Sequence, residues 1–298
     1  MKFGTFLIQS VGTLPMRSDP DEMVAFAKSV EELGFESLWV GDHILVPRNP
    51  ASTYPYDQSG RLPENVFFLD PITTLSFVAS VTTRIRLAVG VFVLPLRNPF
   101  ATAKAVATLD LLSKGRFIFG IGIGWLAEEF LAVGMNFSDR AARNAEYLAL
   151  MDELWNSENP VFKGPTVEAN GFLFLPKPKQ KPHPPVVFGG NTDAALKRAV
   201  RHGDGWYGLP RSLDDARSLV QRLRRLEAAA GRTRPLEITL SGGFSRGGKL
   251  SAPAATLDEA KYLEDLGVGR IIVSAHGKGL PDALQMLGRY NDEVITRI

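Results

Sequence analysis

Short apolar segments alternate with amphipathic helical segments along the whole chain, and this alternation limits the possible folds more than any other feature of the sequence. Each short segment is a nearly continuous apolar run, as at 85–89 (Ile-Arg-Leu-Ala-Val), which is typical of parallel strands buried on both faces. Eight such segments, each followed by a helix, favour a closed (β/α)8 TIM barrel, with an open doubly wound sheet as the alternative. The predicted strands are 1–9, 36–41, 86–91, 116–120, 186–188, 205–207, 237–240 and 270–274, and the predicted helices are 20–33, 71–82, 99–112, 138–155, 192–202, 213–230, 257–266 and 280–296.

The length and composition fit one such barrel, and we expect a single domain over residues 1–298. Basic and acidic residues nearly balance, 34 Lys and Arg against 32 Asp and Glu, so there is no electrostatic argument for a nucleic-acid partner. The chain has no cysteine, which excludes disulfides, thiolate metal sites and cysteine nucleophiles, and we predict no metal site. No apolar stretch is long enough to span a membrane and the N-terminus is a poor signal peptide, so we expect a cytoplasmic protein without a membrane partner.

Three connections are longer than a barrel needs: 42–70, 159–185 and 241–256. The first and the third follow strands, and loops that follow strands lie on the catalytic face of a barrel. We therefore expect extended loops at the C-terminal ends of the strands, with 42–70 and 241–256 as candidate lids. Arg246 and Lys249 in the last loop either contact an anionic ligand or are solvated loop charges.

Asp42 and His43 come directly after the second predicted strand, where a barrel enzyme places its catalytic groups. Histidine is the side chain that titrates near neutral pH, and a neighbouring carboxylate can orient it or face the ligand. The alternative is a solvated strand end with a capping aspartate. We take both residues as candidates for catalysis and for ligand contact.

Two glycine-rich segments also follow predicted strands. The segment 189–191 opens a helix, where free backbone N–H groups and the helix dipole favour an anion such as phosphate; an ordinary capped turn is the alternative. In 120–125 (Gly-Ile-Gly-Ile-Gly-Trp), alternating glycines remove side chains and allow a flat group to lie close to the backbone. The candidate binding residues of these segments are Gly122, Gly124, Trp125, Gly189, Gly190 and Asn191.

Taken together, these motifs resemble the luciferase-like oxidoreductases, and the resemblance covers nearly the whole chain. Each motif alone is common, whereas the combination is specific. The motifs that carry the resemblance are Leu-Trp-Val-Gly-Asp-His at 38–43, Leu-Pro-Leu-Arg-Asn-Pro at 94–99, Ala-Thr-Leu-Asp-Leu-Leu-Ser-Lys-Gly-Arg at 107–116, the glycine segment at 120–125, Val-Phe-Gly-Gly-Asn at 187–191 and Gly-Asp-Gly-Trp at 203–206.

The resemblance implies a cofactor at the barrel mouth, either the deazaflavin coenzyme F420 or reduced FMN, with its phosphate near Gly189 and Gly190. It also implies a bulged or cis peptide near Gly90 and Val91, which would back the cofactor ring. Asp42 and His43 match positions that touch the ring edge in deazaflavin members, which favours F420. The expected reaction is hydride transfer with a small organic substrate, in which His43 exchanges a proton and Asp42 holds the ring edge or the imidazole. Homodimers are also expected from the resemblance.

One position departs from the pattern of the family. Its deazaflavin-dependent sugar-phosphate dehydrogenases carry a glutamate as proton donor where this chain has Trp125, which argues against sugar-phosphate oxidation and leaves Glu128 and Glu129 as substitutes. Two alternatives remain for the function. One is an FMNH₂-dependent monooxygenase that acts on a sulfonate, alkane or aldehyde, and the other is a barrel that binds flavin without turnover.

Overall fold

The fold was analysed in a computed structural model that describes residues 1–7, 19–56, 59–62, 67–242, 252–275 and 277–298. Within these residues, eight parallel strands form a ring with helices between them. The ring consists of β1 (Lys2–Phe6), β2 (Ser37–Val40), β3 (Arg86–Val89), β5 (Phe117–Gly122), β8 (Val186–Gly189), β9 (Gly205–Gly208), β10 (Glu237–Ser241) and β11 (Arg270–Val273). A two-residue strand, β4 (Phe92–Val93), extends the line of β3 and pairs with β5.

The strands form a closed ring, in which each strand pairs with two neighbours. β1 pairs with β11 through Phe3 and Ile271, and with β2 through Thr5 and Leu38. On the far side, β3 pairs directly with β5. Because every pairing in the ring is parallel, the C-terminal ends of all strands meet at one face. The predicted (β/α)8 TIM barrel is therefore confirmed, and the open sheet is excluded.

The helices pack around the barrel, and six of those described begin at a residue whose side chain caps the first turn. Asp19 caps the first helix, because its side chain accepts hydrogen bonds from the backbone N–H groups of Asp21 and Glu22. In the described part of the chain, no helix is long and apolar enough to cross a membrane. The helices are α1 (Pro20–Glu32), α2 (Pro71–Val81), α3 (Pro99–Leu112), α4 (Ala127–Ala132), α5 (Arg140–Asn156), α6 (Asp193–His202), α7 (Leu213–Ala229), α8 (Leu257–Asp265) and α9 (Leu280–Glu293).

A short helix and a short hairpin were not predicted. The helix α4 has six residues, and the residue before it, Leu126, makes no capping hydrogen bond with its side chain, so the helix lacks a start signal in the sequence. The proline-rich connection before β8 contains a short antiparallel hairpin of β6 (Phe162–Lys163) and β7 (Glu168–Ala169). The first predicted strand, 1–9, ends at Phe6 in the structure, and residues 8–18 lie outside the described ranges.

The inside of the barrel is filled by side chains, so the barrel is a packed core rather than a pore. Trp39, Ala88, Ile118, Val187, Tyr207 and Ile272 form this inner cluster. Trp39 and Tyr207 stack across the barrel with ring centroids 5.4 Å apart. At the N-terminal end, the fully buried Arg270 side chain binds the carboxylates of Glu36 and Glu237. The remaining open volume therefore lies at the C-terminal ends of the strands, above Trp39 and Tyr207.

Candidate active site

A cavity of 710 Å³ opens at the C-terminal face of the barrel. Its volume lies within the range of small-molecule and cofactor sites. All ten residues that the sequence analysis selected line this cavity: Asp42, His43, Gly90, Val91, Gly122, Gly124, Trp125, Gly189, Gly190 and Asn191. The structure thus brings together segments from the C-terminal ends of four different strands.

The peptide bond between Gly90 and Val91 is cis, at the place that the family resemblance implies. The Val91 side chain lies between two glycines of neighbouring strands. A Cβ atom added to Gly122 would lie 2.6 Å from Val91 Cγ2, and one added to Gly189 would lie 2.7 Å from Val91 Cγ1. Glycine is therefore needed at both positions to accommodate Val91, whereas the sequence indicated a flat ligand beside Gly122 and an anion beside Gly189.

The Asp42 carboxylate is fully buried and binds protein groups rather than His43. Its Oδ1 accepts a hydrogen bond of 2.7 Å from Arg97 Nη2, and its Oδ2 accepts bonds of 2.8 Å from Arg97 Nη1 and from the backbone N–H of Val93. The expectation that Asp42 orients the imidazole is wrong, because Asp42 instead fixes Val93, two residues after the cis peptide.

The partner of His43 is Glu129, at the third position of α4. Nδ1 of His43 lies 2.8 Å from Glu129 Oε2, and the side chains are 8% and 1% exposed. Glu129 Oε1 accepts hydrogen bonds from the backbone N–H groups of Ile44 (2.6 Å) and Leu45 (3.3 Å). Among the described residues, no hydrogen bond involves Nε2 of His43. The imidazole is thus held from one side, and its other nitrogen is available to a ligand in the cavity.

Aromatic rings surround His43 and line this end of the cavity. The imidazole makes edge contacts with Phe68 and Trp125, at centroid distances of 4.9 and 5.9 Å. Trp125 in turn meets Tyr54 at 5.1 Å. The place where a glutamate was expected by analogy with the sugar-phosphate dehydrogenases is therefore an apolar wall, which suits an apolar or planar ligand.

The loop that follows β2 is tied to α4 at two points. Near its start, Glu129 binds the backbone as described above. Farther along, Glu128 Oε1 accepts hydrogen bonds from the backbone N–H groups of Ala51 (2.5 Å) and Ser52 (2.9 Å). Hydrogen bonds from the Ser52 hydroxyl, and then from backbone N–H groups, lower the pKa of Glu128 to about 2. These contacts place Tyr54 and Tyr56 over the cavity.

Part of the cavity lining is positively charged. Arg140 donates hydrogen bonds to the backbone carbonyls of Gly124 and Phe137, and Arg198 extends from α6. Neither guanidinium takes part in an ion pair within the described residues. Burial lowers the pKa of Arg198, and the nearby positive charge of Arg140 lowers it further. Two half-buried cations without a carboxylate partner among the described residues would suit an anion.

The segment 189–191 adjoins this charged part of the lining. The side chain of Asn191 does not face a ligand, because its Nδ2 donates to the carbonyl of Leu209 (2.7 Å) and its Oδ1 accepts from the N–H of Leu209 (3.1 Å). Thr192 caps α6 through the N–H of Ala195. The N-terminus of α6 therefore points toward the cavity beside Gly190. Arg246 and Lys249, which the sequence analysis considered for the same anion, lie outside the described residues.

Residues 1–247 match the luciferase-like monooxygenase family, which is most of the chain. The chain belongs to this family. An uncharacterized protein of Mycobacterium tuberculosis is 36% identical over 211 residues, which cover 70% of this chain and 74% of that protein. An F420-dependent glucose-6-phosphate dehydrogenase of Kineococcus radiotolerans is 33% identical over 233 residues, which cover 74% of this chain and 64% of the dehydrogenase. A monooxygenase of Streptomyces bottropensis shares the fold at a TM-score of 0.76 with 22% identity, and the alignment covers 100% of this chain and 99% of that structure.

Three residues that the structure places in or behind the candidate site of this luciferase-like chain were not selected from the sequence. Arg97 lies inside one of the quoted family motifs, but nothing in the sequence shows that it binds Asp42. Glu129 was considered as a proton donor, whereas the structure places it behind His43. Arg198 lies five residues after the first residue of α6, on the helix that follows the glycine pair. A search for basic residues on the cavity-facing side of that helix would have found it.

Proposed function

We propose that the protein is an F420-dependent oxidoreductase that transfers a hydride between the deazaflavin and a small organic substrate. The observation that carries the proposal is His43, which is fixed by Glu129 at Nδ1 and offers Nε2 to a large cavity. The choice of F420 is supported by the relative that is 33% identical and is named as an F420-dependent dehydrogenase.

The cavity has the features that such a cofactor needs. One part is lined by apolar and aromatic groups and by Val91, which suits a flat ring. Another part offers Arg140, Arg198 and the N-terminus of α6 beside Gly190, which suits a phosphate. We propose that Gly90, Val91, Gly122, Gly124 and Trp125 adjoin the ring and that Gly189, Gly190 and the backbone of Asn191 adjoin the phosphate.

When bound, the cofactor supplies a two-electron hydride exchange at a carbon atom. The protein supplies the matching proton transfer. When the substrate is oxidised, its C–H bond loses the hydride and its O–H or N–H bond loses a proton to Nε2 of His43; when a substrate is reduced, Nε2 returns the proton. Phe68 and Trp125 limit the access of water to the imidazole. Asp42 acts through Val93 and Arg97, which hold the backbone beside Val91.

A second candidate function is an FMNH₂-dependent monooxygenase. It is favoured by the family to which the chain belongs and by the fold shared with a monooxygenase. The same two parts of the lining would suit the ring and the phosphate of FMN. Oxygen consumption coupled to FMNH₂ oxidation would identify this activity, since a deazaflavin does not readily activate oxygen.

The proposal extends to the setting of the enzyme. We infer one catalytic domain over residues 1–298, a homodimer as the family resemblance implies, and a small substrate in the cytoplasm. The aromatic wall of Tyr54, Phe68 and Trp125 favours an apolar substrate over a sugar phosphate.

The replacement of His43 by alanine tests the catalytic part of the proposal. We expect turnover in an F420-linked assay over a panel of alcohols, aldehydes and ketones to fall by at least about 100-fold, the low end for general acid–base catalysis. The dissociation constant for F420 should change little. His202→Ala, at the exposed C-terminal end of α6, is the matched control. Unchanged turnover in His43→Ala would remove His43 from the reaction.

A further inference from the structure

The contact between Glu129 and His43 does more than hold the ring in place. A carboxylate is an acceptor, so the Nδ1 atom that faces Glu129 Oε2 at 2.8 Å carries the hydrogen when the imidazole is neutral. In a neutral imidazole the other nitrogen then has the lone pair. In this chain that nitrogen is Nε2, which makes no hydrogen bond within the described residues. The arrangement determines which nitrogen is able to accept a proton from the cavity.

We propose that Glu129 is a positioning residue that selects the Nδ1–H tautomer of His43 and couples this choice to the path of the loop after β2. The same carboxylate binds the imidazole through Oε2 and the backbone N–H groups of Ile44 and Leu45 through Oε1. The catalytic meaning of the tautomer rests on the proposed function, whereas the tautomer itself is a property of the free protein.

The two roles of the carboxylate are separable by chemistry. The backbone N–H groups of Ile44 and Leu45 are permanent donors and require an oxygen opposite them. If Glu129 is replaced by glutamine, the amide oxygen goes to these two donors, since the reverse orientation would place an NH₂ group against both. The amide NH₂ then faces Nδ1 of His43, which must become the acceptor. Glu129→Gln is therefore expected to keep the loop in place and to move the hydrogen to Nε2.

Glu128 provides a matched control on the same helix. It also accepts two backbone hydrogen bonds from the loop, at Ala51 and Ser52, but it does not contact an imidazole. Glu128→Gln removes the charge next to Glu129 and perturbs the same loop. If loop anchoring alone determined the state of His43, the two substitutions would act alike.

The test is ¹⁵N NMR of the full-length protein labelled at the histidine rings, at about pH 9, where ordinary imidazoles are neutral. The signals of His43 are assigned by their loss in His43→Gln. We expect a protonated Nδ1 and a bare Nε2 in the wild type and in Glu128→Gln, and the reverse in Glu129→Gln. A wild-type spectrum with the hydrogen on Nε2, or an unchanged tautomer in Glu129→Gln, would overturn the proposal. The wild-type result decides even if the variant does not fold.

Turnover links the tautomer to the reaction. With F420 and a substrate found in the panel above, Glu129→Gln should lower kcat for substrate oxidation by at least about 100-fold, as expected for a base in the wrong tautomer. The dissociation constant for F420 should stay within about twofold, since Glu129 does not line the cavity and loses no contact with the cofactor. If His43→Ala retains turnover, the proposed catalytic role of His43 fails, while the NMR result still decides the role of Glu129.

Discussion

Asp42 and Arg97 form a bidentate ion pair beneath the cavity, with N–O distances of 2.7 and 2.8 Å. The Asp42 side chain is fully buried, and that of Arg97 is 17% exposed. The third hydrogen bond of Asp42, from the N–H of Val93, ties the pair to the segment that carries Val91 into the site. Asp42 therefore supports the site from within the protein.

Asp42→Asn should mainly reduce stability. Removing one partner of a buried ion pair leaves the other uncompensated, so we expect a loss of about 3 kcal/mol in the free energy of unfolding, measured by urea denaturation. Asp214→Asn, in the exposed pair with Arg217, should cost less than about 1 kcal/mol. A stable Asp42→Asn variant that has lost its cofactor affinity would instead make Asp42 a direct ligand of the cofactor.

The packing of Val91 against Gly122 predicts that substitutions at these two positions have coupled effects on stability. Gly122→Ala should destabilise the protein by about 1–3 kcal/mol, because its Cβ would overlap Val91 Cγ2. In a Val91→Ala background the same change should cost much less. Gly288→Ala, whose Cβ would meet nothing within 4 Å, is the control and should be neutral or slightly stabilising. Equal costs of Gly122→Ala in both backgrounds would contradict this packing.

The barrel was predictable from the sequence, whereas the polar contacts of the site were not. Burial on both faces gives each strand an apolar run that is visible locally. The pairs Asp42–Arg97 and His43–Glu129 join residues that are 55 and 86 positions apart, so no local pattern reports them. Asp42 and His43 are adjacent in sequence, which suggested that Asp42 orients the imidazole of His43. Successive side chains at a strand end point in opposite directions, and each residue therefore meets a different partner.

The lowered pKa of Glu128 predicts that the stability difference between the wild type and Glu128→Gln depends on pH. Its pKa is lowered to about 2 in the folded protein, from an ordinary value of 4.5, by hydrogen bonds from Ser52 and then Ala51. A depressed pKa contributes stability that is fully present above 4.5 and is lost as the pH falls toward 2. Glu128→Gln should therefore be less stable than the wild type at neutral pH, and the gap should close in acid. Thermal melts between these pH values measure it, and a gap that is independent of pH would contradict the assignment.

If Arg198 contacts the phosphate of the cofactor, its replacement should weaken only ligands that carry a phosphate. Arg198→Met should weaken the binding of FMN by about tenfold or more, the value of a charge-assisted hydrogen bond, and leave riboflavin binding unchanged. Arg201→Met, exposed on the same helix, should affect neither ligand. Fluorescence quenching titrations measure both constants. Equal losses for FMN and riboflavin would place Arg198 away from the phosphate.

The most direct test of the central claim is a fluorescence titration of the purified protein with F420 and FMN, each in the oxidised and the reduced state. The account predicts tight binding of F420 and weaker binding of both forms of FMN. It also predicts that F420 binding survives His43→Ala and weakens in Arg198→Met. Preferential binding of reduced FMN would contradict the account and would direct the search to oxygen-dependent substrates.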